Sequence, residues 1–216
     1  MGLIDRLDRA TVLQEATYGF VMALTFVTAN QLGFLNMSRS ELVISILAMD
    51  FVWGVIDMVV FFDSDVIEQR RRRNLLRRLY SSENREQMRD EVYDSLGGSV
   101  FDDLDEDSKR KAVDLVMNAR MGDGDSALEG RRVYLFNAVT AFAVNFGSAI
   151  PVALCILFIP DLRLSLVAAS LVSVVALFFI GYHMAPGESK RSRVLFGTGL
   201  AVVTLMLTLF AAYFGG

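Results

Sequence analysis

Five stretches of this chain are long, apolar and nearly free of charge: Ala16 to Leu35, Leu42 to Phe62, Val133 to Ile159, Leu164 to Ala185 and Val194 to Phe214. A hydrocarbon core of about 30 Å is crossed by roughly 20 helical residues, so each run has the length of a membrane span. The runs are continuous, whereas barrel strands would alternate over roughly 10 residues. A helix also pairs its own backbone groups within one segment, as lipid requires. The expected fold is an all-α integral membrane protein with five transmembrane helices and a small helical cytoplasmic insert between the second and third. This divides the chain into residues 1–65, 66–132 and 133–216.

Composition agrees once charge and apolarity are seen to be segregated. The 216 residues are 53% hydrophobic and 21% charged, against about 45–50% apolar for a soluble domain. Of the 25 acids, 23 lie outside the five runs, and the segment from Val66 to Arg132 holds fifteen acidic and fourteen basic residues. A mainly soluble enzyme is excluded, and the balanced insert offers no basic surface for nucleic acid. Nineteen of the 21 Lys and Arg fall on one side of the runs, with Arg39 and Arg163 alone on the other. The positive-inside rule then places the N-terminus in the cytoplasm and Gly216 outside, in a multi-pass arrangement in the cell membrane if the source is prokaryotic. The first residues lack the apolar core and cleavage site of a signal peptide, and Arg6 stands where a myristoylation signal wants Ser or Thr.

Within the insert, the second run is expected to continue as a helix through Arg70 to Arg73 as far as Tyr80. A further helix is expected from about Ser82 to Leu96, where Met88, Val92 and Leu96 repeat every four residues and Gly97-Gly98 can stop it. Another begins near Asp107 or Ser108 and carries Ala112, Leu115, Val116 and Ala119 inward.

The second run carries the most informative residues. Asp50 and Asp57 both lie within the span, where an ionised carboxylate costs roughly 2.5–3.5 kcal/mol on insertion scales. Seven residues apart, they share one helical face, with Gly54 between them leaving room for a neighbouring helix. Two acids on one packed stripe point to a cation or proton path; the alternative is that each is protonated and holds a neighbouring helix by one hydrogen bond. Counted from the cytoplasmic ends, Asp57 lies about 8 Å deep, Met22 about 9 Å, and Asp50 and Asn145 both near 18 Å. Met22, Asp57 and Met58 are then expected around one site, with Asn145 bonding Asp50 and Asn137 nearer the mouth. A carboxylate with thioethers suits a borderline or soft transition metal, although Met beside Met is also ordinary core packing.

Glu15, Asp63, Asp65 and Glu68 are placed at the inner mouth, where they could attract cations or simply mark the water line. Glu83, Glu86, Asp90 and Asp94 line one face of the insert helix, which reads either as a divalent-cation collector or as a solvated face. Asp103, Asp105 and Asp107 have EF-hand spacing, but Ser108 stands where that loop needs Gly and Asp114 where it needs Glu, so an EF-hand is rejected. His183 has no second His or Cys at ligand spacing, and Cys155 has no disulfide partner. No Walker A, GxSxG or HExxH motif occurs, and no enzymatic activity is expected.

The pattern resembles the vacuolar iron transporter family, also called the CCC-type family: five-helix membrane proteins with a cytoplasmic N-terminus and a helical metal-binding insert after the second helix. Glu15 and Gly19 followed by Met22, Ala23 and Leu24 are similar to the start of that family's first helix. Gly54, Asp57 and Met58, then Phe62, Asp63 and the Arg run, resemble its second-helix element, and Gly147 through Pro151 resembles its Gly-x-x-x-Pro element. The family's membrane Asp in the first helix aligns with Met22, and Asp57 at similar depth is the candidate replacement. The insert lacks the family's dense glutamate set. The resemblance implies a homodimer that moves Fe²⁺ or Mn²⁺ in exchange for protons, along a path between the two copies of helices 1 and 2, with no tightly bound cofactor. The metal-ligating candidates are Asp57, Met58, Met22, Asp50, Asn145, Glu15, Glu83, Glu86 and Asp90. The alternative is a non-transporting membrane protein whose insert binds a partner.

Overall fold

The computed structural model describes residues 9–81, 85–97, 100–118, 126–187 and 189–214, except the side chains of 72, 76, 79–81, 85, 100 and 126–132. Among them the fold is all-helical: α1 Arg9–Gln31, α2 Arg39–Ser81, α3 Arg85–Leu96, a short 3₁₀ turn Val100–Asp103, α4 Glu106–Asn118, α5 Ser126–Phe158, α6 Leu162–Met184 and α7 Lys190–Phe214. Five of these elements, α1, α2, α5, α6 and α7, contain stretches long and apolar enough to cross a membrane. The chain forms two compact units, Met1–Phe62 with Leu135–Gly216 and, separately, Asp63–Tyr134.

Local chemistry sets the helix ends in the first unit. α1 closes on Gly33, whose φ of 79° is open to glycine at little steric cost. The Gly33 and Phe34 amides donate back to the Asn30 and Ala29 carbonyls, the Schellman arrangement. Ser38 opens α2 with a capping box: its backbone N–H donates to Glu41 Oε2 at 2.8 Å and its Oγ accepts from the Glu41 N–H. Asp161 Oδ1 accepts from the Leu164 N–H to start α6. The guanidinium of Arg39 donates to the carbonyls of Ile156, Leu157, Ile159 and Pro160 at 2.6–3.2 Å. It thereby satisfies carbonyls that the end of α5 leaves unpaired and places a cation at the negative end of that helix. The same contact shows that α2 begins where α5 ends, so the two run in opposite directions.

The buried positions of this unit are small or apolar. Ala23 and Val27 of α1, Leu42, Val43 and Ile46 of α2, Ala149, Val152, Ala153 and Ile156 of α5, and Leu166 and Ala169 of α6 form one cluster at the Arg39 end. α6 and α7 meet at Gly181 and Gly197, where a Cβ added to Gly197 would stand 2.5 Å from the Phe178 carbonyl oxygen. Buried Ser165, Ser173 and Thr208 return their hydroxyls to carbonyls of their own helices at 2.7–3.0 Å. Other large apolar side chains of α6 and α7 point outward: Leu171, Phe179, Met206, Phe210 and Phe214 are all exposed.

In the second unit, Val92 of α3, Phe101 of the 3₁₀ turn and Val113 of α4 form one buried cluster, and Met88 of α3 is also buried. The expected repeat of Met88, Val92 and Leu96 faces inward. Leu115 does not: it is 74% exposed, because the stripe turned toward α3 runs through Ala112, Val113 and Val116. Ala119 lies outside the described residues.

The α6–α7 contact gives a paired test. Gly197→Ala is expected to cost about 1–3 kcal/mol by overpacking. Gly199→Ala, with nothing within 4 Å of its Cβ, is expected to be neutral or stabilising by up to about 1 kcal/mol. Unfolding in detergent with a helicity readout separates the two.

Candidate functional site

Three polar side chains from three helices meet inside the first unit. Glu15 of α1 and Asn145 of α5 are 1% and 0% exposed, and Asp57 of α2 is half-buried. Asn145 Nδ2 donates to Glu15 Oε2 at 3.3 Å and to Asp57 Oδ2 at 3.4 Å. Asn145 Oδ1 is buried and has no hydrogen-bond partner among the described residues. One amide nitrogen thus serves two acids, and its oxygen is left as a free acceptor beside them.

The backbone around the site is built for close approach. A Cβ on Gly19, one turn after Glu15, would collide with the Asn145 carbonyl oxygen and the Ser148 hydroxyl. A Cβ on Gly54, one turn before Asp57, would stand 2.8 Å from the Phe142 ring. Gly54 therefore makes the room expected of it, and α5 fills that room. Phe142 stacks on Phe146, and Phe51 meets both edge-on, which screens this flank of the site with rings.

Asp50 stands two turns from Asp57 on the same stripe of α2, between Ile46 and Gly54. It is 0% exposed, and neither carboxyl oxygen has a hydrogen-bond partner among the described residues. The expected bond from Asn145 to Asp50 is not formed; Asn145 bonds Glu15 and Asp57 instead. The depth count misplaced it because the apolar ends of two runs do not mark one level. In antiparallel helices the Cβ tilt toward each N-terminus also brings the Asp57 carboxyl and the Asn145 amide toward each other. Asn137, two turns before Asn145, likewise leaves its Oδ1 without a partner among the described residues.

Glu15 does not precede the first helix but lies within it and is buried. α1 begins at Arg9 rather than at Ala16, which puts Glu15 inside the helix. The signal was present in the sequence: Glu15, Gly19, Ala23 and Val27 recur every four residues and form one buried stripe. Met22 sits seven residues beyond Glu15, about 10 Å along α1, and is half-buried. Met58 follows Asp57 directly and so projects about 100° away around the helix. The donors gathered at the site are carboxyl and amide oxygens. Among the described residues, no group of three or more His, Cys, Asp or Glu is gathered to hold a metal ion. In the other unit Glu86, Asp90 and Asp94 are exposed on α3, while Glu83 lies outside the described residues. The contacts of Glu15, Asp57 and Asn145 are made within one chain.

Comparison with protein-family models, with curated proteins and with solved structures finds no match to this chain.

The shared amide predicts a coupled energy. Asn145→Ala should cost about 1–3 kcal/mol, because two carboxyl groups lose their donor. The double variant with Asp57→Asn should then depart from additivity by about 0.5–3 kcal/mol. Strict additivity in unfolding measurements would show that the contact is not made.

Proposed function

We propose that this chain is a multi-pass membrane protein with a cytoplasmic N-terminus that moves a divalent cation, Fe²⁺ or Mn²⁺, in exchange for protons. The observation that carries this reading is the meeting of buried Glu15 and Asn145 with half-buried Asp57. Two carboxyl groups served by one amide donor, with a free amide oxygen beside them, form an electron-rich centre on apolar helices. Such groups are expensive at membrane depth and are placed there where ions or protons pass. The outward-facing Leu, Phe and Met side chains of α6 and α7 support the membrane setting, since soluble monomers rarely expose large contiguous apolar surface.

Asp57 and Glu15 are the ligating acids in this reading, and Asn145 orients them and contributes Oδ1. An all-oxygen set favours Mn²⁺ over softer ions. The thioethers of Met22 and Met58 stand further along the route rather than in the set. Protons compete with the cation for the same oxygens, so a pH gradient can drive exchange. The family resemblance adds a homodimer, and the path in this reading lies within each copy. Leu115, 74% exposed on α4, favours the alternative of a partner-binding insert; that reading requires the buried acids to be dispensable.

Uptake of Mn²⁺ into proteoliposomes under a pH gradient tests the proposal. Wild type should accumulate the ion, and Asp57→Asn and Glu15→Gln should each cut the initial rate by about tenfold or more. If Asp57→Asn carries Mn²⁺ as fast as wild type, the site is wrong. Asn145→Leu should weaken equilibrium Mn²⁺ binding by about 10–100-fold, as loss of an orienting partner does at metal sites.

A further inference from the structure

We propose that Asp50 is a proton-binding site of its own, separate from the cation site at Glu15, Asp57 and Asn145, and that it carries the proton exchanged for the cation. The exchange role rests on the function proposed above; the proton site does not.

Asp50 is completely buried, and neither of its carboxyl oxygens meets a donor among the described residues. Buried carboxyl groups in folded proteins are nearly always hydrogen-bonded, paired or bound to an ion, so this one calls for a ligand. The surroundings decide which. A divalent metal needs several oxygen ligands around it, and among the described residues no group of three or more His, Cys, Asp or Glu is gathered to hold one. A proton needs one oxygen and nothing else.

The elements clustered with this stretch of α2 are α1, α5 and α6. Their described parts in this unit carry Glu15 and Tyr18 on α1 and Cys155 on α5, and α6 carries no ionisable residue from Leu164 to Gly181. On α2 itself the neighbouring acid is Asp57, about 10 Å away along the helix. The basic residues of these elements in this unit, Arg9, Arg39, Arg163 and His183, stand at or near helix ends. Among the described residues no cation is paired with Asp50 to hold it as a carboxylate.

The position also gives the site a use. One turn beyond Asp50 the stripe becomes the fully buried side chains of Ile46 and Leu42, packed against Val152 and Ile156 of α5. Asp50 is therefore the last polar residue on the buried stripe of α2 before the fully buried Ile46 and Leu42. A cation bound at Asp57 acts on Asp50 through a low-dielectric interior and favours loss of its proton. The proton leaves the carboxyl oxygen for water, the carboxylate remains, and the reverse step restores the acid. The two sites are coupled by charge without sharing a ligand.

The test uses the full chain in lipid. Infrared difference spectra are recorded while pH is stepped with no metal present, for wild type, Asp50→Asn and Asp57→Asn. A protonated-carboxyl band that titrates in wild type and in Asp57→Asn but is missing from Asp50→Asn is the expected result. No such band in wild type, or the same band in Asp50→Asn, overturns the proton site. With Mn²⁺ alone as the probe, Asp50→Asn should keep equilibrium binding within about threefold of wild type. It should lose Mn²⁺-driven proton flux in proteoliposomes by about tenfold or more, and Asp50→Glu should restore that flux. Unchanged flux in Asp50→Asn overturns the carrier role, and loss of Mn²⁺ binding there overturns the separation of the sites. Absence of Mn²⁺ binding in wild type defeats the transport function and the carrier role, while the infrared result still decides the proton site. If Asp50→Asn does not fold, the band is tested in Asp50→Glu, where it should shift; an unshifted band then overturns the proposal.

Discussion

The Nδ2 atom of Asn145 is one donor facing two carboxyl groups, and much of the surrounding architecture follows from that contact. Glu15 reaches it from α1 and Asp57 from α2, so three helices must approach closely at one level. α1 achieves this by having Gly19 where any Cβ would strike the Asn145 carbonyl, and α2 by having Gly54 under the Phe142 ring. The energetic logic is that of a polar group in an apolar interior. Each acid needs a partner there, and too few donors are supplied, which makes the centre receptive to a positive charge.

A second constraint comes from the other end of the same helices. Toward Arg39 a cluster of buried Ala, Val, Leu and Ile joins α1, α2, α5 and α6, and Arg39 itself is engaged with the end of α5. Along α2 the inward stripe reads Leu42, Ile46, Asp50, Gly54, Asp57: apolar, then acidic, with a change of character at Asp50.

The fold was largely legible because helical spans in lipid must be long, continuous and apolar, and five such runs are visible without any structure. Asp50 and Asp57 stood out for the same reason, as acids inside a run. What the sequence did not yield was level. Glu15 looked interfacial because charge was used to mark the end of the first run, yet it belongs to a buried stripe with Gly19, Ala23 and Val27. Asn145 was assigned to Asp50 by counting residues, a method blind to side-chain direction. Leu115 was expected inward by helical spacing, but the stripe facing α3 runs through Ala112, Val113 and Val116, with Val113, two residues earlier, as the buried one. In each case residue type was informative, and the error came from fixing a third coordinate with a one-dimensional ruler.

The central claim is that the oxygens of Glu15, Asp57 and Asn145 hold a divalent cation. The X-ray absorption spectrum of the purified protein loaded with one equivalent of Mn²⁺ addresses it directly. A first shell of oxygen alone, less symmetric than that of the aqua ion and altered by Glu15→Gln, is the predicted result. A sulfur shell from Met22 or Met58, or a spectrum matching free aqueous Mn²⁺, would contradict it.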